Sequence, residues 1–405
     1  MKVLHICYSD LDGGAARAAW RLHQAQLKAG IDSYMVVVNK LSSDKRVLVV
    51  NKTTKLRIKI NSAISGILLA RLTKKNPVKH SLNLLPTGVA KFINNLNADI
   101  INLHWIGSDM LSVGEVAALK APIVWTLHDM WAFSGCEHYD TYPELKRYRD
   151  NYKKDTQNGL LDINAFMYRY KKWKWKNKNI SFVSPSQWLA SCLQSSSLGQ
   201  SKKSVVIQNC IDHDIYAPVA KHTARELLGL PIERKLVLFG AMSSTSDARK
   251  GFLLLEGALK LLGEEGHHPY ALVVFGAEKK PVEQHYGLDT YHLGVLKDDL
   301  TLRLLYSAAD VYVAPSLQDN LPNTLVESLA VGTPCVAFNI GGMPDLIMHA
   351  DLGVLVDTIE IKSLAEGIHT ALNNYSDNEH IRSLSVAMRS EEVIVENYKR
   401  IYGNV

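Results

Sequence analysis

The sequence lacks the features that would place the chain within a membrane, a disulfide framework or a zinc domain. Its longest apolar segment, residues 60–72, is too short and too polar to span a bilayer. Residues 1–10 do not read as a signal peptide, because polar and acidic residues follow at once. No C-x-x-C pair occurs, which argues against a zinc site. The five cysteines are scattered, as is usual in a reducing cytosol: Cys7, Cys136, Cys192, Cys210 and Cys335.

Acidic residues are missing from a long stretch near the N-terminus. Residues 45–98 contain eleven Lys and Arg and no Asp or Glu. A second basic stretch, residues 168–179, interleaves cations with aromatic side chains. Such runs are either solvated surface or contacts for lipid headgroups, a diphosphate-linked acceptor or nucleic acid. The aromatic residues favour a membrane surface, and no nucleic-acid-binding motif is present.

The remaining composition is that of a globular protein. Of 405 residues, 47% are hydrophobic and 21% are charged, so a large core is possible and two domains are expected. Short apolar strands alternate with helix-length segments along both halves of the chain. This alternation predicts an α/β protein with two doubly wound parallel sheets, each covered on both faces.

The division between the halves is predicted near residues 208–222, where Pro218 and polar residues interrupt the pattern. Residues 204–209 (SVVIQN) are counted among the strands of the second half, and residues 391–402 are predicted to form a helix. The predicted domains are residues 1–207, residues 208–385 and a C-terminal helical segment, 386–405, that returns to the first domain.

Two glycines separate the first predicted strand from a helix. Gly13 and Gly14 let the backbone approach a ligand at a helix N-terminus, where N–H groups favour anions. The pattern is not G-x-G-x-x-G, so the dinucleotide fingerprint is absent and a plain turn is the alternative. Arg17 lies one helical turn further on and can face the same cleft.

Two histidines follow predicted strands. His104 ends one strand segment and His128 ends the next, at the edge where open α/β sheets bind ligands. His128 can contact a sugar hydroxyl, although a lone histidine is usually structural. Asp129 beside it either orients the imidazole or caps the turn.

Residues 318–334 (QDNLPNTLVESLAVGTP) carry two carboxylates eight residues apart, between two predicted strands. Asn323 or Thr324 can cap a helix whose first N–H groups suit a phosphate. Glu327 can then accept the hydroxyls of a ribose, and Asp319 those of a hexose. The alternative is that both acids only complement the helix dipole.

Arg249 and Lys250 stand where a polar loop becomes an amphipathic helix. Two cations at a helix start suggest a clamp for a diphosphate, and an exposed Arg–Lys pair is the alternative. Together with the two carboxylates of residues 318–334, these cations would provide a contact for each part of a nucleotide-sugar.

These motifs, in this order, resemble those of glycosyltransferase family 4, the retaining enzymes of the GT-B fold. The resemblance covers nearly the whole chain, and it implies two Rossmann-like domains facing across a cleft. The TLHDMW form is most similar to the polysaccharide branch, which includes colanic acid and O-antigen (lipopolysaccharide) transferases. The matching segments are residues 13–22, 126–136, 205–212, 248–259 and 314–347.

The resemblance implies a role for each matching residue. Arg249 and Lys250 would hold the donor diphosphate, and His128 and Asp319 would contact the transferred sugar. Asp319 stands where the family usually has Glu. The remaining donor-binding positions would be Gly13 and Gly14, Val295 beside the base, Asn323, Thr324 and Leu325 with backbone N–H groups at a phosphate, and Glu327 at the ribose. We also place Arg17 and Asp129 on the acceptor side.

The implied activity is transfer of a hexose, with retention, from a UDP- or GDP-sugar to a growing cell-surface polysaccharide or lipid-linked oligosaccharide. The acceptor would be a glycan or a polyprenyl-diphosphate-linked sugar, and neither metal nor cofactor is expected. We expect a cytoplasmic protein that docks peripherally on the anionic inner face of the membrane and binds no nucleic acid. Two alternatives stay open: another GT-B enzyme, such as a nucleotide-sugar 2-epimerase, or a non-catalytic protein that binds membrane or nucleic acid.

Overall fold

The computed structural model describes most of the chain as two compact units. The first comprises Met1–Gln208 with Ile394–Val405, and the second comprises Asn209–Val393. Each unit has its own sheet and its own hydrophobic core. The described residues are 1–73, 78–140, 146–153, 162–240, 248–264, 270–276, 287–296, 298–375 and 377–405.

The first unit is built on a parallel sheet. Its described strands are β1 (Lys2–Ile6), β2 (Asp32–Val37), β3 (Val47–Val49), β4 (Ile100–Leu103), β5 (Ile123–Thr126), β6 (Ile180–Ser184) and β7 (Ser204–Val206). They lie in the order β3-β2-β1-β4-β5-β6-β7, with every pair parallel. The chain therefore runs outward from β1 on one side and resumes at β4 on the other.

Helices connect these strands. They are α1 (Gly14–Lys28), α2 (Lys52–Leu72), α3 (Val89–Asn94), α4 (Val113–Ala118), α5 (Ile163–Trp175) and α6 (Gln187–Ser195). Local sequence explains several of their starts: Ser112 and Glu115 form a capping box at α4, and the side chain of Asn51 caps α2.

The second unit repeats the plan. Its strands are β8 (Lys235–Gly240), β9 (Tyr270–Phe275), β10 (Asp289–His292), β11 (Val311–Ala314), β12 (Cys335–Phe338) and β13 (Gly353–Val356), in the parallel order β10-β9-β8-β11-β12-β13. Its helices are α7 (Lys221–Leu228), α8 (Phe252–Glu264), α9 (Asp299–Ala308), α10 (Asn323–Ala330), α11 (Ile361–Asn374) and α12 (Asn378–Arg389).

Both faces of the second sheet are covered. Along β8, Leu236 and Leu238 pack into one hydrophobic cluster, whereas Val237 and Phe239 pack into another. Successive side chains of a strand point to opposite faces, so two clusters on alternate residues require a layer on each side. The prediction of two doubly wound parallel sheets is confirmed.

Some predicted boundaries are corrected. β7 (Ser204–Val206) pairs with β6 in the first sheet, so it is not a strand of the second half. β3 and β10 were not predicted, because the first is three residues long and the second, DTYH, is polar. The last helix, α13, spans Glu391–Tyr402 and confirms the helix predicted there.

Candidate functional site

A cavity of about 120 Å³ lies at the carboxyl edge of the second sheet. Gly240, Phe275 and Ala314, at the ends of three strands, form part of its wall, and the loop after β11 forms another part. The cavity spans β8 and β11, the pair at which the order of strands reverses. In open α/β sheets ligands bind at such switch points.

Two of the predicted residues meet in this cavity. Lys250 belongs to a 3₁₀ turn, Ala248–Lys250, and its Nζ donates to Oδ2 of Asp319 at 2.5 Å. The lysine side chain stays 35% exposed and the aspartate 14%. The pair is therefore open to solvent on the lysine side, where an anionic ligand can compete for the ammonium group.

Glycines hold the two loops in this arrangement. Gly251 has φ +65°, and a Cβ there would lie 1.8 Å from the carbonyl oxygen of Pro315. Gly341 has φ +59°, and a Cβ there would lie 2.4 Å from the carbonyl oxygen of Asp319. Only a residue without a side chain fits such contacts. The close approach fixes both ends of the Lys250–Asp319 pair.

Arg249 occupies a different position from its neighbour. Its side chain is half-buried and is not among the residues that line the cavity, while Lys250 is. The backbone carbonyl of Arg249 accepts from the N–H of Leu317 at 2.6 Å, which ties the turn to the loop after β11.

The start of α10 differs from the predicted capping. Pro322 occupies the N-cap position, and no side chain caps the helix. The prediction that Asn323 or Thr324 caps it is wrong, because proline sets the extended entry to the helix. The Asn323 side chain instead accepts from Nδ2 of Asn209 at 3.2 Å.

One predicted N–H donor of α10 is already engaged. The N–H of Leu325 donates to the carbonyl of Pro322 at 3.1 Å, and its assignment to a ligand phosphate stays a prediction. Thr324 lines the cavity, and its side chain hydrogen-bonds the hydroxyl of Tyr312. The helix start thus still faces the cavity through Thr324.

Glu327 lies beneath the cavity wall and does not line it. The residue is 3% exposed, and its Oε2 accepts from the hydroxyl of Tyr306 at 2.8 Å. Burial and the charge of Glu327 raise the pKa of Tyr306 well above its usual value, so the phenol remains a donor. Val295, predicted beside the base, lies in the loop after β10 and is 46% exposed.

In the first unit the glycine turn lies at the end of β1. Gly13 has φ +89° and stands at the N-cap of α1 without a side-chain cap. No described atom lies within 4 Å of the position of a Cβ there, so the turn requires glycine for its backbone angle. Gly14 is exposed and Arg17 is half-buried. The backbone N–H of Arg17 donates to the carbonyl of Gly13 at 3.0 Å.

His128 follows the end of β5 and is partly exposed. Its Nε2 lies 3.1 Å from Nδ1 of His104, and the two rings stack with centroids 5.3 Å apart. Burial lowers the pKa of His128 to about 4, against which the charge of Asp129 acts weakly. The imidazole is therefore neutral near neutral pH.

Asp129 orients a different histidine. Its Oδ2 lies 2.5 Å from Nδ1 of His138 and accepts from Nε1 of Trp105 at 2.9 Å, while Oδ1 accepts from the N–H of Trp131 at 2.9 Å. Burial opposes ionisation, but these contacts hold the pKa of Asp129 below its usual value. Of the two predicted roles, capping the turn is confirmed and orienting His128 by a hydrogen bond is not.

The fold and this site define a class of protein. Two doubly wound parallel-sheet units, with a lysine and an aspartate at the switch point of the second, form an α/β protein of the GT-B type. Residues 12–215 match the model described as Glycosyltransferase Family 4, and residues 233–374 match Glycosyl transferases group 1. The chain belongs to glycosyltransferase family 4.

Sequence similarity to individual glycosyltransferases agrees with this assignment. The chain is 29% identical to the D-inositol 3-phosphate glycosyltransferase of Mycolicibacterium smegmatis over 179 residues, which are 42% of this chain and 39% of that protein. It thus spans about two fifths of the length of the curated relatives it matches.

Solved structures share the fold across both units. Anabaena Alr3699/HepE, crystallised with UDP and glucose, superimposes with a TM-score of 0.67 at 15% identity and covers 100% of both chains. A glycosyltransferase from Rickettsia africae gives 0.65 at 17% identity, covering 100% of this chain and 98% of that one.

Proposed function

We propose that this protein is a retaining hexosyltransferase that uses a nucleotide-sugar to extend a cell-surface polysaccharide or a lipid-linked oligosaccharide. The observation that carries the proposal is the Lys250–Asp319 pair in the cavity at the switch point, within a chain of family 4. A partly exposed ammonium suits a diphosphate, and the adjoining carboxylate suits the hydroxyls of a sugar.

In the proposed reaction the acceptor hydroxyl attacks the anomeric carbon on the face from which the nucleoside diphosphate leaves. The bond from the anomeric carbon to the phosphate oxygen breaks, and the departing phosphate takes the proton of the acceptor. Negative charge then grows on the diphosphate. Lys250, Arg249 and the N–H of Thr324 would stabilise that charge, and His128 and Asp319 would contact the sugar.

The donor can be identified by ligand-induced stabilisation. Structures of HepE contain UDP or UDP-glucose, so UDP-sugars lead the panel, followed by GDP-sugars. A ligand at about a hundred times its dissociation constant stabilises a protein by about 2.7 kcal/mol, which a thermal-shift assay detects. We expect one nucleotide to raise the melting temperature of the wild type and to lose that effect in Lys250→Ala.

Lys260→Ala is the matched control, because Lys260 lies on α8 and pairs with Glu256 on the exposed surface. Absence of any shift across UDP, GDP and their sugar conjugates would contradict a nucleotide-sugar site. Proton NMR of the product then tests retention. Free epimerised sugar formed without acceptor would favour a 2-epimerase.

The second part of the proposal is docking on an anionic membrane through α2. No helix in the described part of the chain has the length and apolarity to cross a bilayer. However, α2 turns large apolar side chains to the outside, with exposures from 38% to 58%. They are Leu56, Ile60, Ile64, Ile67, Leu68 and Leu72.

The buried face of α2 is the more polar one. Asn61 is buried and donates to the carbonyl of Leu85 at 3.1 Å, and Ser65 is buried and donates to Oδ1 of Asp109 at 2.9 Å. The helix carries no acid, and its cations are Lys52, Lys55, Arg57, Lys59 and Arg71. An apolar outer face flanked only by cations suits the interface of an anionic bilayer.

Co-sedimentation with anionic vesicles at low salt tests this part. We expect the wild type to pellet and the double variant Ile60→Glu/Ile67→Glu to remain in the supernatant, because two carboxylates would enter the apolar contact. Leu227→Glu is the control, since Leu227 is 67% exposed on α7 of the other unit. Equal sedimentation of both variants, or none of the wild type at low salt, where such attraction is strongest, contradicts docking through α2.

A further inference from the structure

A buried chain of hydrogen bonds starts at His128 and ends on the C-terminal helix. Nε2 of His128 lies 3.1 Å from Nδ1 of His104, and Nε2 of His104 lies 2.9 Å from Nδ1 of His5. Nε2 of His5 lies 3.0 Å from Oε1 of Gln26. Nε2 of Gln26 then donates to the hydroxyl of Tyr402 at 3.0 Å. We call these five residues the relay.

The fold brings the relay together from distant parts of the sequence. His5 is in β1, and His104 and His128 follow the neighbouring strands β4 and β5. Gln26 comes from α1 and Tyr402 from the last turn of α13. His128 is partly exposed, whereas the other four members are buried.

All three imidazoles of the relay are neutral at ordinary pH. Burial, reinforced by the neighbouring His23, lowers the pKa of His5 to about 3. Burial lowers the pKa of His128 to about 4 and that of His104 well below its usual value. A neutral imidazole carries one N–H, so each ring has one donor nitrogen and one acceptor nitrogen.

With the Gln26 amide oriented as in the structure, this constraint places every proton in the relay. The amide oxygen of Gln26 can only accept, so His5 donates from Nε2 and accepts at Nδ1. His104 must therefore donate from Nε2 to His5 and accept at Nδ1. His128 in turn donates from Nε2, and its Nδ1 carries no hydrogen.

The orientation of one amide thus decides the tautomer of His128. Turning the Gln26 amide over would exchange its oxygen and nitrogen and would reverse each donor in the relay. In the structure the Gln26 oxygen faces His5 and its NH₂ group faces the Tyr402 hydroxyl, which also accepts from Nδ2 of Asn102 at 2.9 Å. Oδ1 of Asn102 accepts from the hydroxyl of Thr126 at 3.0 Å, and that hydroxyl also lies 2.9 Å from the hydroxyl of Tyr398.

We propose that Gln26, held by Tyr402, is a positioning residue that keeps His128 in the Nε2–H tautomer and presents Nδ1 as an acceptor for a substrate hydroxyl. Within the described residues Nδ1 of His128 has no hydrogen-bond partner. The substrate group at this point must then donate a hydrogen, so a hydroxyl binds and a methoxy group does not. That the hydroxyl belongs to a sugar rests on the proposed function, whereas the tautomer does not.

The tautomer can be read directly by NMR of protein labelled with ¹⁵N-histidine. We expect Nε2 of His128 to show the shift of a protonated nitrogen and Nδ1 that of an unprotonated one, with His128→Gln used for assignment. A protonated Nδ1 in the wild type would overturn the proposal without the need for any variant.

Variants test the role of Gln26. Gln26→Met keeps the length of the side chain but removes the amide, so His128 should become a mixture of tautomers and kcat/KM should fall about tenfold, the scale of one hydrogen bond. Tyr402→Phe should act in the same direction. Gln24→Met is the control on the same helix, because Gln24 donates to Asp44 outside the relay.

An unchanged His128 spectrum in Gln26→Met would overturn the proposal. If the spectra behave as expected but no glycosyl transfer is found with any donor, the proposed function fails while the assignment of the tautomer stands.

Discussion

The two units share an architecture but differ in what they place at the switch point of the sheet. In the first unit, the order of strands reverses between β1, which contains His5, and β4, which His104 follows. Both histidines are buried and neutral. In the second unit, the ion pair of Lys250 and Asp319 occupies the equivalent edge and is partly exposed. One topology therefore supports a neutral relay in one unit and a charged pair in the other.

The difference indicates which ligand groups each edge can receive. The ammonium group of Lys250 is solvated enough to contact another anion. The relay cannot do so, because every buried polar atom in it is matched to a neutral neighbour and a charge would be desolvated there. We infer that the second unit contacts the diphosphate and that the first contacts a hydroxyl.

Among the variants that test this difference between the units, removal of the Lys250 ammonium group should reduce turnover the most. In Lys250→Ala the growing charge on the leaving diphosphate loses a placed cation, so kcat should fall by roughly 10²-fold or more. Initial rates with the donor identified by thermal shift measure this effect. Lys260→Ala should retain the wild-type rate, and near-normal turnover of Lys250→Ala would refute the assignment.

The next largest effect should come from the backbone that holds the charged pair. Gly251 and Gly229 share φ +65°, but a Cβ at Gly251 would overlap the Pro315 carbonyl and one at Gly229 would meet open space. Gly229→Ala should therefore cost about 1–2 kcal/mol from backbone strain alone. Gly251→Ala should cost a further 1–3 kcal/mol from overpacking.

Urea titration followed by circular dichroism compares the two glycine variants. We expect Gly251→Ala also to lose nucleotide binding, because the displaced turn carries Lys250. Equal midpoints for Gly251→Ala and Gly229→Ala would show that the contact with Pro315 is not a constraint.

Features that one short segment contains in full can be predicted from the sequence. The strands with continuous apolar runs were predicted, and so was the proximity of Lys250 and Asp319 to a helix start at a sheet edge. β3 and β10 could not be predicted, because a strand of three residues and a polar edge strand lack the apolar run that identifies a buried strand. Long-range pairing with β2 and β9 creates them.

The site was predicted less well where distant residues decide a side chain's partner. The role of Glu327 at a ribose stays a prediction, whereas its hydrogen bond with Tyr306, 21 residues away, could not be predicted from the local sequence. Asp129 bonds His138, nine residues away, and not its neighbour. Gln26 and Tyr402 are 376 positions apart, so no local pattern could join them.

Lowering the pH should destabilise the first unit more than the second. Burial lowers the folded-state pKa values of four histidines in the first unit. The pKa falls to about 3 for His5, to about 4 for His23 and His128, and well below its usual value for His104. In the second unit His213 is lowered in this way, to about 4. Below the unfolded value near 6.5 the unfolded chain binds more protons, so stability falls with pH down to the folded pKa.

Between pH 7 and pH 5 each such histidine should cost on the order of 1–2 kcal/mol. All seven tryptophans lie between residues 20 and 188, so their fluorescence reports unfolding of the first unit. On going from pH 7 to pH 5, we expect the urea midpoint measured by tryptophan fluorescence to fall. The midpoint of the circular dichroism change that does not coincide with the fluorescence change should fall less. A parallel fall of both signals would contradict the assignment of neutral buried histidines to the first unit.

The smallest effect should come from chelation. If Lys250, Arg249 and the start of α10 supply the positive charge at the diphosphate, EDTA should leave turnover of the wild type unchanged within error, and added Mg²⁺ should not raise it. A strong dependence on Mg²⁺ would place the charge on a metal and not on the second unit's side chains. Lys250→Ala completes the test: Mg²⁺ that restores this variant while leaving the wild type unaffected would show that the lysine occupies the place of a cation.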